Sequence, residues 1–236
     1  MTSTLPADWR PILEHAYKRL ESRYRHFLEE DKHYFPNRDN CFNAFRTLPK
    51  SEVKYILFGQ DPYPRVESAG GYAFIDMKVK EIFSPAGLSK AVNRATSLRN
   101  FIKMALIARG DLSPEDTSQS AIAAIDKTHL INTIDQLRQN FEREGVLLLN
   151  TALIFTEKKA SKRHIKAWRP FVESLLSQIR SQAPQLILFG SHAKALKRDF
   201  DLQHFKTIEL EHPYNHSFIH NEKALKLFAA MNLLEK

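Results

Sequence analysis

The sequence predicts an α/β fold, with a central four-stranded, mainly parallel, twisted sheet flanked by helices in a single domain spanning residues 1–236. Two observations carry this. Three apolar runs, VKYILFG (53–59), GVLLLNT (145–151) and QLILFG (185–190), are continuous rather than alternating. Strands buried on both faces of a parallel sheet read in this way. Between the runs lie segments with helical hydrophobic spacing, so strands and helices alternate.

In chain order, the spacing predicts a helix over 8–30, the first strand over 53–59, and helices over 88–108 and 119–143. The second strand at 145–151 follows, then a helix over 166–181 and the third strand at 185–190. TIELE (207–211) is the fourth strand, closed by His212-Pro213, and a helix over 222–233 ends the pattern. Pro184, Pro213 and the Gly70-Gly71 pair punctuate these elements. No internal repeat, low-complexity tract or linker divides them, which is why one domain is expected.

Composition narrows the function classes. A chain of 236 residues, 43% of them hydrophobic, can bury a full core, and nothing in it suggests disorder. Thirty-five Lys and Arg against 27 Asp and Glu leave a net charge of +8. That balance fits a polyanionic partner, bound through counterion release, or simply a solubility surplus. Cys41 is the single cysteine, so an internal disulfide and a cysteine-based metal cluster are excluded. No run has the apolar length of a signal peptide core or a membrane span. A soluble protein of the cytoplasm with no membrane partner is expected.

In open α/β sheets ligands sit beyond the carboxyl ends of the strands. The residues there are Gly59-Gln60-Asp61, Asn150, Gly190-Ser191 and His212, which supply an acid, an amide, a phosphate-type turn and an imidazole. Each alone has a plainer reading. Asp61-Pro62-Tyr63 could be a turn, Asn150 a strand-end amide, Phe74 a core ring, and Gly190-Ser191 a helix start.

Taken in order, the motifs resemble those of family 1 uracil-DNA glycosylases. Gly59-Gln60-Asp61-Pro62-Tyr63-Pro64 is similar to that family's water-activating motif, and Phe74 stands where the family has its uracil-stacking phenylalanine. Leu147-Leu148-Leu149-Asn150-Thr151 resembles its asparagine-bearing strand, and Leu188-Phe189-Gly190-Ser191-His192-Ala193 its glycine-serine turn. His212-Pro213 opens a loop like its DNA-intercalating one, Thr96-Ser97-Leu98-Arg99-Asn100 resembles the end of its proline-serine loop, and His164, Trp168 and Phe171 echo a helix signature. The matches run from about Phe35 to the C-terminus, and it is their joint order that makes them specific.

The resemblance implies a DNA-repair hydrolase that excises uracil from single- or double-stranded DNA, acting as a monomer without cofactor or metal. It implies that Asp61 aligns water and stabilises the sugar cation, while His212 donates to uracil O2 as charge develops there. Gln60, Tyr63, Phe74 and Asn150 would form the base pocket, with Tyr63 set against the methyl of thymine and Asn150 reading the uracil edge. Ser97, Gly190, Ser191, Pro213, Tyr214 and His216 would bind DNA. His164 and Trp168 are read as packing residues.

The chain departs from the family pattern in four places. Pro64 replaces a histidine. The loop after His212 reads Tyr214-Asn215-His216-Ser217-Phe218, which puts His216 at the wedge position with Tyr214 or Phe218 as substitutes. The proline-rich loop is reduced to Asn93-Arg94-Ala95 before Thr96-Ser97. The spans 74–97 and 97–150 are long, and they read as surface insertions carrying Lys78, Lys80, Lys90, Arg94, Arg99 and Lys103, either a DNA-facing edge or a solvated one. Two alternatives stay open at this point: a DNA-binding accessory protein with weakened catalysis, and a glycosylase for another deaminated base.

Overall fold

The computed structural model describes residues 5–31 and 33–236, apart from the side chains at 193 and 194. The order of elements is α1 (Arg10–Lys18), α2 (Ser22–Glu30), β1 (Tyr55–Gly59), β2 (Phe83–Ser84), β3 (Gly87–Leu88), α3 (Lys90–Arg94), α4 (Thr96–Arg109), α5 (Gln119–Ala124) and α6 (Ile134–Arg143). Then come β4 (Val146–Asn150), α7 (Ser161–Ile179), β5 (Gln185–Phe189), α8 (Gly190–Asp199), β6 (Thr207–Leu210) and α9 (Glu222–Met231). The four expected strands are β1, β4, β5 and β6, in the sheet order β4-β1-β5-β6. β1 pairs parallel with β4 and with β5, and Gly59 lies opposite Asn150 at the carboxyl end. All five residues of β4 are buried, as its uninterrupted apolar run requires.

The helices differ from expectation where local caps override the hydrophobic period. The 8–30 segment divides because Arg19 and Leu20 donate to carbonyls three residues back and Leu20 turns into the core. In the 88–108 segment Leu88 pairs in β3, Ser89 caps α3 by accepting from Val92 N at 3.2 Å, and Ala95 breaks the chain before α4. The 119–143 segment splits at an extended Ile125, and a Thr133–Gln136 capping box restarts it as α6. α7 begins at Ser161, earlier than expected, and α8 was not expected as a helix of its own beyond its glycine-serine start.

The chain forms two compact units: Met1–Asp76, Gly145–Leu188 and His192–Ile208 make the first, and Met77–Glu144, Phe189–Ser191 and Glu209–Lys236 the second. In the first, α1 packs on α7 around Trp9, Phe42, Phe45, Trp168 and Phe171, and Trp9 Nε1 donates to Leu48 O at 2.8 Å. In the second, α4 packs on α9 and on the 3-10 turn His216–His220, with Phe101 against Phe141, Phe218 and Phe228. This corrects the reading of 74–150 as surface insertions. Residues 77–144 supply Phe101, Ile102, Leu106, Leu137 and Phe141 to that core, all fully buried, because α4 and α6 each carry an apolar face.

Candidate active site

In the first unit the carboxyl ends of β1 and β4 are laced together. Thr151 N donates to Gly59 O at 3.0 Å, Ala152 N to Gln60 O at 3.0 Å, and Thr151 Oγ1 to Gln60 O at 2.7 Å. These bonds fix the backbone that carries Asp61. Gly59 must lack a side chain, because a Cβ there would collide with Asn150 Oδ1 and touch Ala73 Cβ at 3.0 Å. The Asn150 carboxamide fills the space so opened. Asn150 is 5% exposed, and its carboxamide has no hydrogen-bond partner among the described residues. A buried amide without a protein partner is set up to receive one from a ligand.

Asp61 is half-buried, and its Oδ2 accepts a hydrogen bond from Ser161 Oγ at the start of α7. Gln60 Nε2 donates in turn to Ser161 Oγ at 3.4 Å. Burial raises the Asp61 pKa above the ordinary carboxylate range, while the Ser161 bond and the nearby His192 pull it down. His192 Nε2 lies 3.1 Å from Gly59 O, and a carbonyl only accepts, so that nitrogen carries a proton.

Tyr63 donates through its hydroxyl to Phe74 O at 3.1 Å, and burial raises its pKa so that it stays a neutral donor. Phe74 has a left-handed backbone at φ 67, unusual for a bulky residue. The bond from Ala73 N to Leu148 O at 3.0 Å holds this turn against β4. The expected residues Gln60, Asp61, Tyr63, Phe74 and Asn150 are thus joined through β1, β4 and the turns that follow β1.

In the second unit Gly190 opens α8 with φ +55, and a Cβ there would stand 2.8 Å from His212 Cβ. The ring of Phe189 meets His212 edge-on at 6.2 Å. His212 Nδ1 accepts from Tyr214 N at 3.0 Å, so the neutral ring bears its proton on Nε2. Partial burial lowers its pKa and favours that neutral form. Asn100 Nδ2 donates to Pro213 O at 2.8 Å and reaches Tyr214 O and Asn215 O at 3.4 and 3.2 Å. Glu211 Oε1 accepts from Asn215 Nδ2 at 3.0 Å and from Ser217 Oγ at 2.5 Å. The loop after His212 is therefore stapled at both of its flanks. Ser97 lies in the first turn of α4, and Ser191 is exposed in the first turn of α8. Pro213 is buried, whereas Tyr214 and His216 are exposed.

One substitute wedge is ruled out. Phe218 is 0% exposed and packs against Phe101 and Phe189, so it belongs to the core; Tyr214, at 66%, is the exposed aromatic of this loop. His164 and Trp168 are packing residues, both buried, with His164 held by Tyr24 Oη at 2.6 Å and Thr156 Oγ1 at 2.9 Å. Sequence reasoning missed Ser161 and the stapling role of Asn100. Nothing in the local sequence marks Ser161, and the motif that contains Asn100 does not disclose its contacts, because each acts on a segment 100 or more residues away. No group of three or more His, Cys, Asp or Glu among the described residues could hold a metal ion.

A model of the uracil DNA glycosylase superfamily matches residues 45–233. The uracil-DNA glycosylase of Anoxybacillus flavithermus is 27% identical over 219 residues, covering 90% of this chain and 84% of that protein. That of Campylobacter lari is 28% identical over 214 residues, covering 87% and 79%. Among solved structures, the wild-type UNG of Nitratifractor salsuginis is 57% identical, with a TM-score of 0.97 over 99% of this chain and 94% of that one. Mimivirus uracil-DNA glycosylase, 20% identical, has a TM-score of 0.57 over 89% and 70% and shares the fold.

Proposed function

The chain belongs to the uracil DNA glycosylase superfamily, and we propose that it is a DNA-repair hydrolase that excises uracil from DNA. It cleaves the N-glycosidic bond and leaves an abasic site. Its relatives at 27–28% identity over most of their length are uracil-DNA glycosylases, and the 57% identical neighbour is a UNG.

The observation that best supports the assignment of residues is Asp61, a half-buried carboxylate with one oxygen held by Ser161. As the bond to the base breaks, the sugar gains positive charge and the leaving uracil gains negative charge. A fixed carboxylate stabilises the first and aligns the attacking water. His212, neutral with its proton on Nε2, would donate to uracil O2 as the second develops. Asn150 offers an acceptor and a donor matched to uracil N3–H and O4, a pattern cytosine does not present. Phe74 would stack on the ring, Tyr63 would stand where the methyl of thymine must go, and Gln60 would complete the pocket.

DNA would be held by Ser97, Gly190, Ser191, Pro213, Tyr214 and His216, with backbone N–H groups at the starts of α4 and α8 facing phosphates. The family match from 45 to 233 runs through segments of both units, which supports treating 1–236 as one functional domain. We read the protein as a cytoplasmic monomer; among the described residues no helix is long and apolar enough to cross a membrane. The test is base release, in the presence of a chelator, from matched oligonucleotides carrying uracil, cytosine or thymine. Release of uracil alone is expected. Release of none of the three, or equal release of uracil and cytosine, overturns the reading.

A further inference from the structure

The loop that carries Asp61 is poor in donors of its own. Pro62 and Pro64, on either side of Tyr63, have no N–H, and the N–H of Arg65 is spent on Tyr63 O at 2.8 Å. A half-buried carboxylate without a donor is costly to keep ionised. The donor comes instead from 100 residues further along the chain, at the N-terminal turn of α7.

We infer that Ser161 is the positioning residue for Asp61, fixing one carboxylate oxygen so that the other faces the water. This role of Ser161 rests on the one proposed for Asp61. Ser161 is buried, at 9% exposure, and its hydroxyl donates to Asp61 Oδ2. Ser161 Oγ in turn accepts from Gln60 Nε2 at 3.4 Å, and the Gln60 backbone is pinned by Thr151 and Ala152. The chain of donors, Gln60 N–H to Ser161 O–H to the carboxylate, points one way, and a row of donors polarised toward one acceptor strengthens its last bond. Asp61 Oδ1 has no hydrogen-bond partner among the described residues. Fixing Oδ2 therefore sets the direction of the oxygen left for water, and misplacement by about 1 Å costs on the order of 100-fold in rate.

The group facing Asp61 electrostatically is His192 on α8, which lowers its pKa together with the Ser161 bond. Loss of that bond leaves burial less opposed. The Asp61 pKa then rises, and the acid limb of the rate profile moves to higher pH.

The experiment is single-turnover uracil release across pH, with DNA affinity measured in parallel, for wild type, Ser161→Ala, Ser161→Thr and Asp61→Asn. Ser161→Ala is expected to lower the plateau rate about 10- to 100-fold, with its acid limb at higher pH and DNA affinity unchanged. Ser161→Thr, which keeps the hydroxyl, should restore both the rate and the limb. If Asp61→Asn is inactive while Ser161→Ala keeps the wild-type rate and limb, the positioning role is wrong and that of Asp61 stands. Equal losses in the Ala and Thr variants with an unmoved limb assign Ser161 to packing and also overturn it. If Asp61→Asn keeps the wild-type rate, the site assignment itself fails.

Discussion

His212 differs from the other site residues in that its tautomer is fixed by backbone. Tyr214 N occupies Nδ1, which leaves Nε2–H as the group free to donate, and desolvation lowers the ring's pKa, which favours its neutral form. A neutral donor aimed at developing negative charge is worth about 3 kcal/mol of barrier, or roughly a hundredfold. His212→Ala should therefore slow the single-turnover rate by about that factor, with little change in DNA affinity; a loss confined to affinity would make it a binding residue instead. Of the proposed residues, Asp61, Asn150 and His212 stood out as candidates at strand ends, and Phe74 by its place in the ordered series of motifs. Ser161 and Asn100 were not. A serine at a helix start and an asparagine in a helix look ordinary until distant backbone is brought beside them.

At the scale of elements, the strands were legible for a simple reason. Burial on both faces leaves β1, β4 and β5 as uninterrupted apolar runs, and no surface constraint blurs them. Helix breaks were less legible, because a capping serine or threonine such as Ser89 or Thr133 interrupts a helix without interrupting its hydrophobic period. The loop after β6 illustrates the same limit. Tyr214 and Phe218 were equivalent as letters, but packing against Phe101 and Phe189 takes Phe218 out of reach of DNA. With His216 proposed at the wedge position, single-stranded uracil DNA should react faster than duplex, since extruding a paired base costs a few kcal/mol. Tyr214→Ala should widen that gap by removing a stacking face. Matched single- and double-stranded substrates measure this; equal slowing on both would mean that Tyr214 is not a wedge.

α7 carries a second consequence at this scale. His164 is buried between Tyr24 and Thr156, and burial, with Arg163 nearby, lowers its pKa from 6.5 to about 4. The unfolded chain takes up a proton near pH 6.5, whereas the folded one resists until about pH 4. The stabilisation is thus complete above pH 6.5 and fades as pH falls toward 4, by about 3 kcal/mol in all. Denaturant titrations across that window should show the loss, and His164→Gln should flatten it. An unchanged slope in the variant would place the acid sensitivity elsewhere.

For the whole molecule, the net charge of +8 acquires its meaning only once the family is known. Composition alone left a solubility surplus equally open. A phosphate-binding protein of this charge should lose DNA affinity steeply with salt, whereas its chemical step on bound DNA should not change. The contribution of residues 77–144 was hidden at this scale, because a long span between motifs reads as insertion whether or not it has a core of its own. The central claim is that this molecule breaks the uracil–sugar bond by means of a fixed carboxylate at Asp61. Its most direct measurement is the time course of free uracil and abasic sites formed from a single-stranded uracil oligonucleotide by wild type and Asp61→Asn. Equal amounts of the two products from wild type are predicted, with a rate at least about 100-fold lower for Asp61→Asn at unchanged DNA affinity. Excision by Asp61→Asn at the wild-type rate, or no uracil released by wild type, would contradict it.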